Sequence, residues 1–193
     1  MIEVTQAFVL SMMILAAPAA KHRDTFERTA EAIAKASNAS PVIDGEHGSE
    51  KTAALIVALG EFESGLRPSA AGDCEKAKTK SDGTCAEGGH PTSFCMLQIN
   101  QSNFAGLGVT KDELLTSIDA CVATGLRMMR ASFRICGKLP FEDRLRWYTA
   151  GADNCPGDEN KDAANKSRHR VRRAMWLYGR AKKLEAQAAA AEK

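Results

Sequence analysis

The chain predicts a mainly helical α+β fold, a helical domain with one short strand and loop region. Apolar residues recur at helical spacing along most of its length, and only the run 93–100 has strand-like apolar character. With 193 residues, 44% hydrophobic and 26% charged, the chain has material for one domain with a real core and too little for two.

The first apolar run, 7–20, contains Phe8, Val9, Leu10, Met12, Met13, Ile14 and Leu15 and ends in Ala16-Ala17-Pro18-Ala19-Ala20. That is the pattern of a signal-peptide hydrophobic region with a small-residue cleavage site. Residues 1–6 carry Glu3 and no Lys or Arg, so an uncleaved anchor touching the membrane, a misplaced start and an amphipathic first helix stand as alternatives. Segment 1–20 is expected as a signal peptide or export anchor, 21–47 as an N-terminal helix and linker, 48–185 as the main domain and 186–193 as a frayed Ala-rich tail. No other stretch is apolar enough to span a bilayer.

Asp24 and Glu27 form a capping pair for a helix through Lys35 with Phe26, Ala30, Ile33 and Ala34 on one side, and 37–47 reads as a linker. The next helix carries Ile56 and Leu59, seven and four residues before Glu63, and stops at Gly65 and Pro68. A carboxylate is thus expected on an apolar face at the negative end of a helix, where both neighbours disfavour its charge. A carboxyl that keeps its proton near neutrality is suited to general acid catalysis. The competing expectation is a frayed-end residue turned to water.

Residues 68–92 read as a polar loop, long enough for a rim or flap over a site. Thr110 with Glu113 caps a short helix, and Ser117 opens a longer one with a stripe of Ile118, Val122, Gly125, Leu126, Met129, Phe133 and Cys136, closed by Gly137. Its methionines are read as core filling. Pro140 starts a helix through Leu145, Trp147 and Tyr148 to Gly151; 152–166 is loop-like, and the last helix buries Val171, Met175 and Tyr178.

Net charge is only +2, yet Lys166, Arg168, Arg170, Arg172, Arg173, Arg180, Lys182 and Lys183 crowd the last helix. Either a solvated basic face or attraction to an anionic polymer follows. Aromatic residues are 6% and no recognition module is visible, so no nucleic-acid partner is expected. The six cysteines, Cys74, Cys85, Cys95, Cys121, Cys136 and Cys155, contain no C-x-x-C pair, which favours disulfides in an oxidising compartment over zinc or free thiols. Cys74 with Cys85 is the best single pairing, closing the polar loop between them.

Three motifs in order carry the functional expectation: Glu63-Ser64-Gly65-Leu66-Arg67-Pro68, then Cys95-Met96-Leu97-Gln98-Ile99-Asn100, then Trp147-Tyr148-Thr149-Ala150-Gly151. Together they resemble the soluble lytic transglycosylase and goose-type lysozyme superfamily, over about residues 52–178. The resemblance implies a lysozyme-like fold and cleavage of the MurNAc–GlcNAc β-1,4 bond of peptidoglycan. It makes Glu63 the single catalytic acid and base, with Ser64, Leu97, Gln98, Ile99, Tyr148 and Thr149 at the substrate, Gln98 offering its amide and Tyr148 a hydrogen bond to the acid. No cofactor and no metal is implied, the partner is the glycan strand, and the protein is expected to be a monomer.

Three positions depart from the family pattern. Cys95 replaces a glycine, so either the backbone there is ordinary or a disulfide fixes it; Thr149 replaces an asparagine, and Leu66 an aromatic. Glycosidases ordinarily use two carboxylates. Asp73, Glu75, Asp82 and Asp153 are candidates for the second, whereas in the transglycosylase route the sugar's N-acetyl group assists and the C6 hydroxyl closes an anhydro product without water. A hydrolytic muramidase and a catalytically idle wall-binding or virion structural protein are the alternatives. Localisation is expected as exported, in the periplasm, envelope or medium, or else as part of a phage virion or lysis system.

Overall fold

A computed structural model describes residues 3–75, 78, 80, 85–151, 155 and 161–191. Its axis is helix α3, Gly48–Ser64, in which Ala53, Ala54, Leu55, Ile56, Val57, Ala58 and Leu59 have no exposed surface. A helix apolar on every side must be enclosed on every side. Helices α1 (Gln6–Ala16), α2 (Phe26–Ala39), α6 (Ile118–Ile135) and α8 (Lys161–Ala191) pack around it.

The apolar run expected as a leader or anchor forms α1 and belongs to this core. Thr5 caps it, accepting from the Phe8 amide at 3.1 Å, and Phe8, Val9, Met12 and Met13 are buried. The Asn38 side chain at the end of α2 bonds both backbone groups of Val4, at 2.8 and 2.9 Å. Among the described residues no helix is long and apolar enough to cross a membrane.

Several boundaries differ from expectation. α2 runs past Lys35 to Ala39 with Ser37 buried, and Asp24 lies in a 3-10 turn before it, so the expected capping pair is not used. The linker shrinks to 40–47, where left-handed His47 precedes α3 and its Nδ1 meets the buried Glu50 Oε2 at 2.5 Å. α8 starts before Lys166 and continues through the alanines of 186–191.

The strand region is larger than the sequence suggests. β1 (Ala71–Glu75), inside the expected loop, pairs antiparallel with β2 (His90–Phe94), which pairs with β3 (Ile99–Asn100). The short helices α4 (Phe104–Leu107) and α5 (Lys111–Thr116) lead to α6. The Thr110–Glu113 capping box and the Ser117 cap form as expected, with Thr110 Oγ1 accepting from Glu113 N at 3.2 Å and Ser117 Oγ from Ala120 N at 3.1 Å. The helix expected from Pro140 is broken into a 3-10 turn, Phe141–Asp143, and α7, Arg146–Ala150.

Disulfides join Cys74 to Cys85, Cys95 to Cys121 and Cys136 to Cys155. The first is the pairing the sequence favoured, and such bonds persist in oxidising compartments, consistent with an exported protein.

The basic face of α8 is spent inside the molecule. Arg168 clasps buried Asp143 at 2.8 and 2.9 Å, Arg173 clasps Glu61 at 2.9 Å twice, Arg172 meets Glu142 at 2.9 Å and Lys182 meets Glu50 at 3.2 Å. The positive stripe is largely a seam that fastens α8 to α3 and to the turn before α7.

Because Phe8 is 2% exposed and contacts Tyr178 edge-on at 6.2 Å between ring centroids, Phe8→Ala removes a core side chain. It is expected to lower unfolding free energy by about 3–5 kcal/mol, read from the urea midpoint.

Candidate active site

A cleft of about 480 Å³ opens where the end of α3, the sheet, α6 and α7 converge. Glu63, Asp73, Leu97, Gln98, Asn100, Met128, Tyr148 and Thr149 are among its lining residues.

Glu63 sits in the last turn of α3, terminated by left-handed Gly65 and Leu66; the Leu66 amide bonds Gly60 O at 2.8 Å. Ile56 and Leu59 are buried as the spacing predicts, but by Glu63 the helix has left the core. The carboxyl keeps 21% of its exposure and is met by the Arg170 guanidinium of α8, with Nη2 at 2.7 Å and Nε at 3.0 Å from the same oxygen, Oε1. The expected greasy enclosure is therefore corrected: the nearest partner is a cation.

The second motif forms the tight turn joining β2 to β3. Cys95 and Gln98 both take positive φ, 62° and 49°. Such backbone is costly for a residue with a Cβ, and the disulfide from Cys95 to Cys121 of α6 holds it. Of the two readings of Cys95, a fixed special dihedral is the one present. Leu97 packs so closely on α6 that a Cβ at Gly125 would lie 2.2 Å from its Cδ1, and Gln98 Oε1 would lie 2.5 Å from a Cβ at Gly72 in β1. Gln98 Nε2 donates to Cys95 O at 2.9 Å, leaving the side of its amide toward the cleft.

Tyr148 donates its hydroxyl to Leu97 O at 2.8 Å. It braces the turn and does not bond Glu63 as the resemblance implied. Burial, reinforced by the negative charge of Glu63, holds the phenol well above the usual tyrosine range, against an opposing pull from Arg170. Its backbone amide donates to Ser132 Oγ of α6 at 3.1 Å, and Ser132 donates to Arg144 O at 2.7 Å, fixing α7 in place.

Not every expected site residue reaches the cleft. Ser64 is buried, donating to Met96 O at 2.9 Å and accepting from Arg67 N at 3.1 Å, so it staples helix to turn. Ile99 has no exposed surface and is core. Thr149 lines the cleft, yet its hydroxyl donates to Leu145 O at 3.1 Å in its own helix.

The residue that sequence reasoning could not place is Asp73. It stands in the cleft lining with Glu63 and accepts from Ser93 Oγ at 2.7 Å, which in turn accepts from Asn100 Nδ2 at 3.4 Å. Of the other second-carboxylate candidates, Glu75 is exposed and is not among the residues that line the cleft, while Asp82 and Asp153 lie outside the described residues. Among the described residues no three His, Cys, Asp or Glu side chains gather at metal-binding spacing. No family model, curated protein or solved structure matches the chain.

Two outcomes follow from this geometry. With Cys121→Ala in both, Cys95→Gly is expected to be more stable than Cys95→Ser by about 1 kcal/mol, because only glycine takes the left-handed conformation freely; denaturant midpoints decide. Tyr148 binds its proton more tightly folded than unfolded, so above roughly pH 10 the unfolded chain loses a proton that the folded one keeps. Its contribution to stability is thus whole below that pH and lost as pH rises further. Tyr148→Phe should flatten the alkaline fall in melting temperature.

Proposed function

We propose that the chain cleaves the β-1,4 bond between N-acetylmuramic acid and N-acetylglucosamine in peptidoglycan, with Glu63 as acid and then base. The observation that carries the reading is the convergence, in one cleft, of residues from all three motifs: Glu63, Leu97 and Gln98, Tyr148 and Thr149. Glu63 gives its proton to the leaving oxygen as the C1–O bond breaks. The substrate's N-acetyl group steadies the sugar cation, and the carboxylate then accepts the proton of the C6 hydroxyl as the anhydro ring closes. The Gln98 amide and Asn100 supply hydrogen-bonding partners for sugar hydroxyl and N-acetyl groups.

Hydrolysis by the same acid is the second reading, and Asp73 is the observation that favours it. A second carboxylate, held by Ser93 and lining the same cleft as Glu63, is the kind of group that an inverting glycosidase uses as the base that activates water. An exported location suits either route.

Purified protein on isolated sacculi, with products weighed by mass spectrometry, is the test. Glu63→Gln is expected to lower turnover on the order of 10²–10⁴-fold with helical content unchanged. Anhydro ends with Asp73→Asn still active support the non-hydrolytic route. Reducing ends with Asp73→Asn inactive support hydrolysis. Wall binding without any release of fragments would mark an idle binding module and end both.

A further inference from the structure

The most unusual contact in the cleft is the one no motif contains, Arg170 on Glu63. Both donors that reach the acid, Nε at 3.0 Å and Nη2 at 2.7 Å, converge on Oε1. Among the described residues Oε2 has no hydrogen-bond partner, although the carboxyl lines the cleft. Arg170 is itself fixed. Its Nη1 donates to Lys166 O at 3.2 Å, its guanidinium lies 5.3 Å from the centre of the Phe62 ring, and only 13% of its side chain is exposed.

A guanidinium has donors and no acceptor, so the oxygen it grips has no reason to carry a hydrogen toward it. We propose that Arg170 is a positioning residue that holds Oε1 as the hydrogen-bond-accepting oxygen of the carboxyl and leaves Oε2 as the oxygen that carries and delivers the proton. This rests on the reading of Glu63 as a glycosidic acid. When the Oε2 proton passes to the glycosidic oxygen, the C1–O bonding pair stays on that oxygen and the carboxylate left behind is already paired with Arg170. The same oxygen then takes back the proton of the attacking hydroxyl. Arg170 so restricts the carboxyl's rotation and spares it reorganisation during the step.

The test measures kcat and KM separately for sacculus cleavage by wild type, Arg170→Ala, Arg170→Lys and Arg172→Ala, the last removing an exposed arginine that pairs with Glu142. Arg170→Ala is expected to lose about 10- to 100-fold in kcat with KM within about twofold, the scale of a misplaced reacting group. Added methylguanidinium should restore part of that rate, Arg170→Lys should fall between, and Arg172→Ala should match wild type. Full kcat in Arg170→Ala, or a loss that tracks a lowered melting temperature and ignores methylguanidinium, overturns the positioning role while leaving the proposed reaction standing. Wild-type protein that cleaves no glycan removes the reaction, and the positioning role with it.

Discussion

Everything at the cleft depends on the turn 95–98 being held in a conformation its residues do not prefer. Cys95 and Gln98 are both left-handed, and neither is glycine. Three separate elements restrain the turn: α6 through the Cys95–Cys121 bond, α3 through Ser64 on Met96 O, and α7 through Tyr148 on Leu97 O. Each restraint satisfies a backbone carbonyl or fixes a dihedral, so the local cost of order 1–2 kcal/mol per left-handed residue is offset by bonds to rigid helices. Ser64 and Tyr148 therefore shape the cleft through the backbone of the turn.

This arrangement explains what was legible beforehand. The amphipathic α6 announces itself by periodicity and α3 by a continuous apolar run stopped at Gly65 and Pro68; capping residues such as Thr110 and Ser117 work through bonds three residues away, so they too can be read locally. β1 could not be read, because Ala71–Glu75 holds no β-branched or aromatic residue and its order comes from pairing with β2, about twenty residues on. Asp73 could be named as one of four candidate carboxylates but not placed in the cleft, for the same reason. Its place beside Ser93 is a consequence of strand register, in which Gly72 faces Ser93. Residues of all three motifs line one cleft, but a motif does not say whether a hydroxyl turns toward that cleft or toward its own backbone.

Charge along α8 shows the same limit from another side. A run of basic residues in one dimension looks like an offer to a polyanion. In three dimensions Arg168, Arg170, Arg172, Arg173 and Lys182 each meet an acid from α3 or from the turn before α7. Those acids, Glu50, Glu61, Glu63, Glu142 and Asp143, are dispersed through the sequence and suggest no cluster when read in line. Pairs at the surface contribute little to stability. Asp143, almost fully buried, is different: its charge is compensated by two cations, Arg168 at 2.8 Å and Arg146 at 3.7 Å.

The Glu63 environment follows from the same pairing of α3 with α8. A carboxyl set among Ile and Leu side chains alone would be desolvated but free to rotate, with nothing to distinguish one oxygen from the other. The helix instead carries Glu61 and Glu63 out of the core at its last turn, where Arg173 and Arg170 meet them one turn apart along α8. The Glu63 carboxylate accompanies Arg170 into its largely buried place, and the Phe62 face and Lys166 carbonyl meet part of what remains of its surface and donors. Apolar burial and ion pairing thus answer different requirements of an acid. Burial of Ile56 and Leu59 anchors the helix, while the guanidinium gives the carboxyl a direction, and a proton transfer to one particular oxygen of a bound sugar depends on that direction.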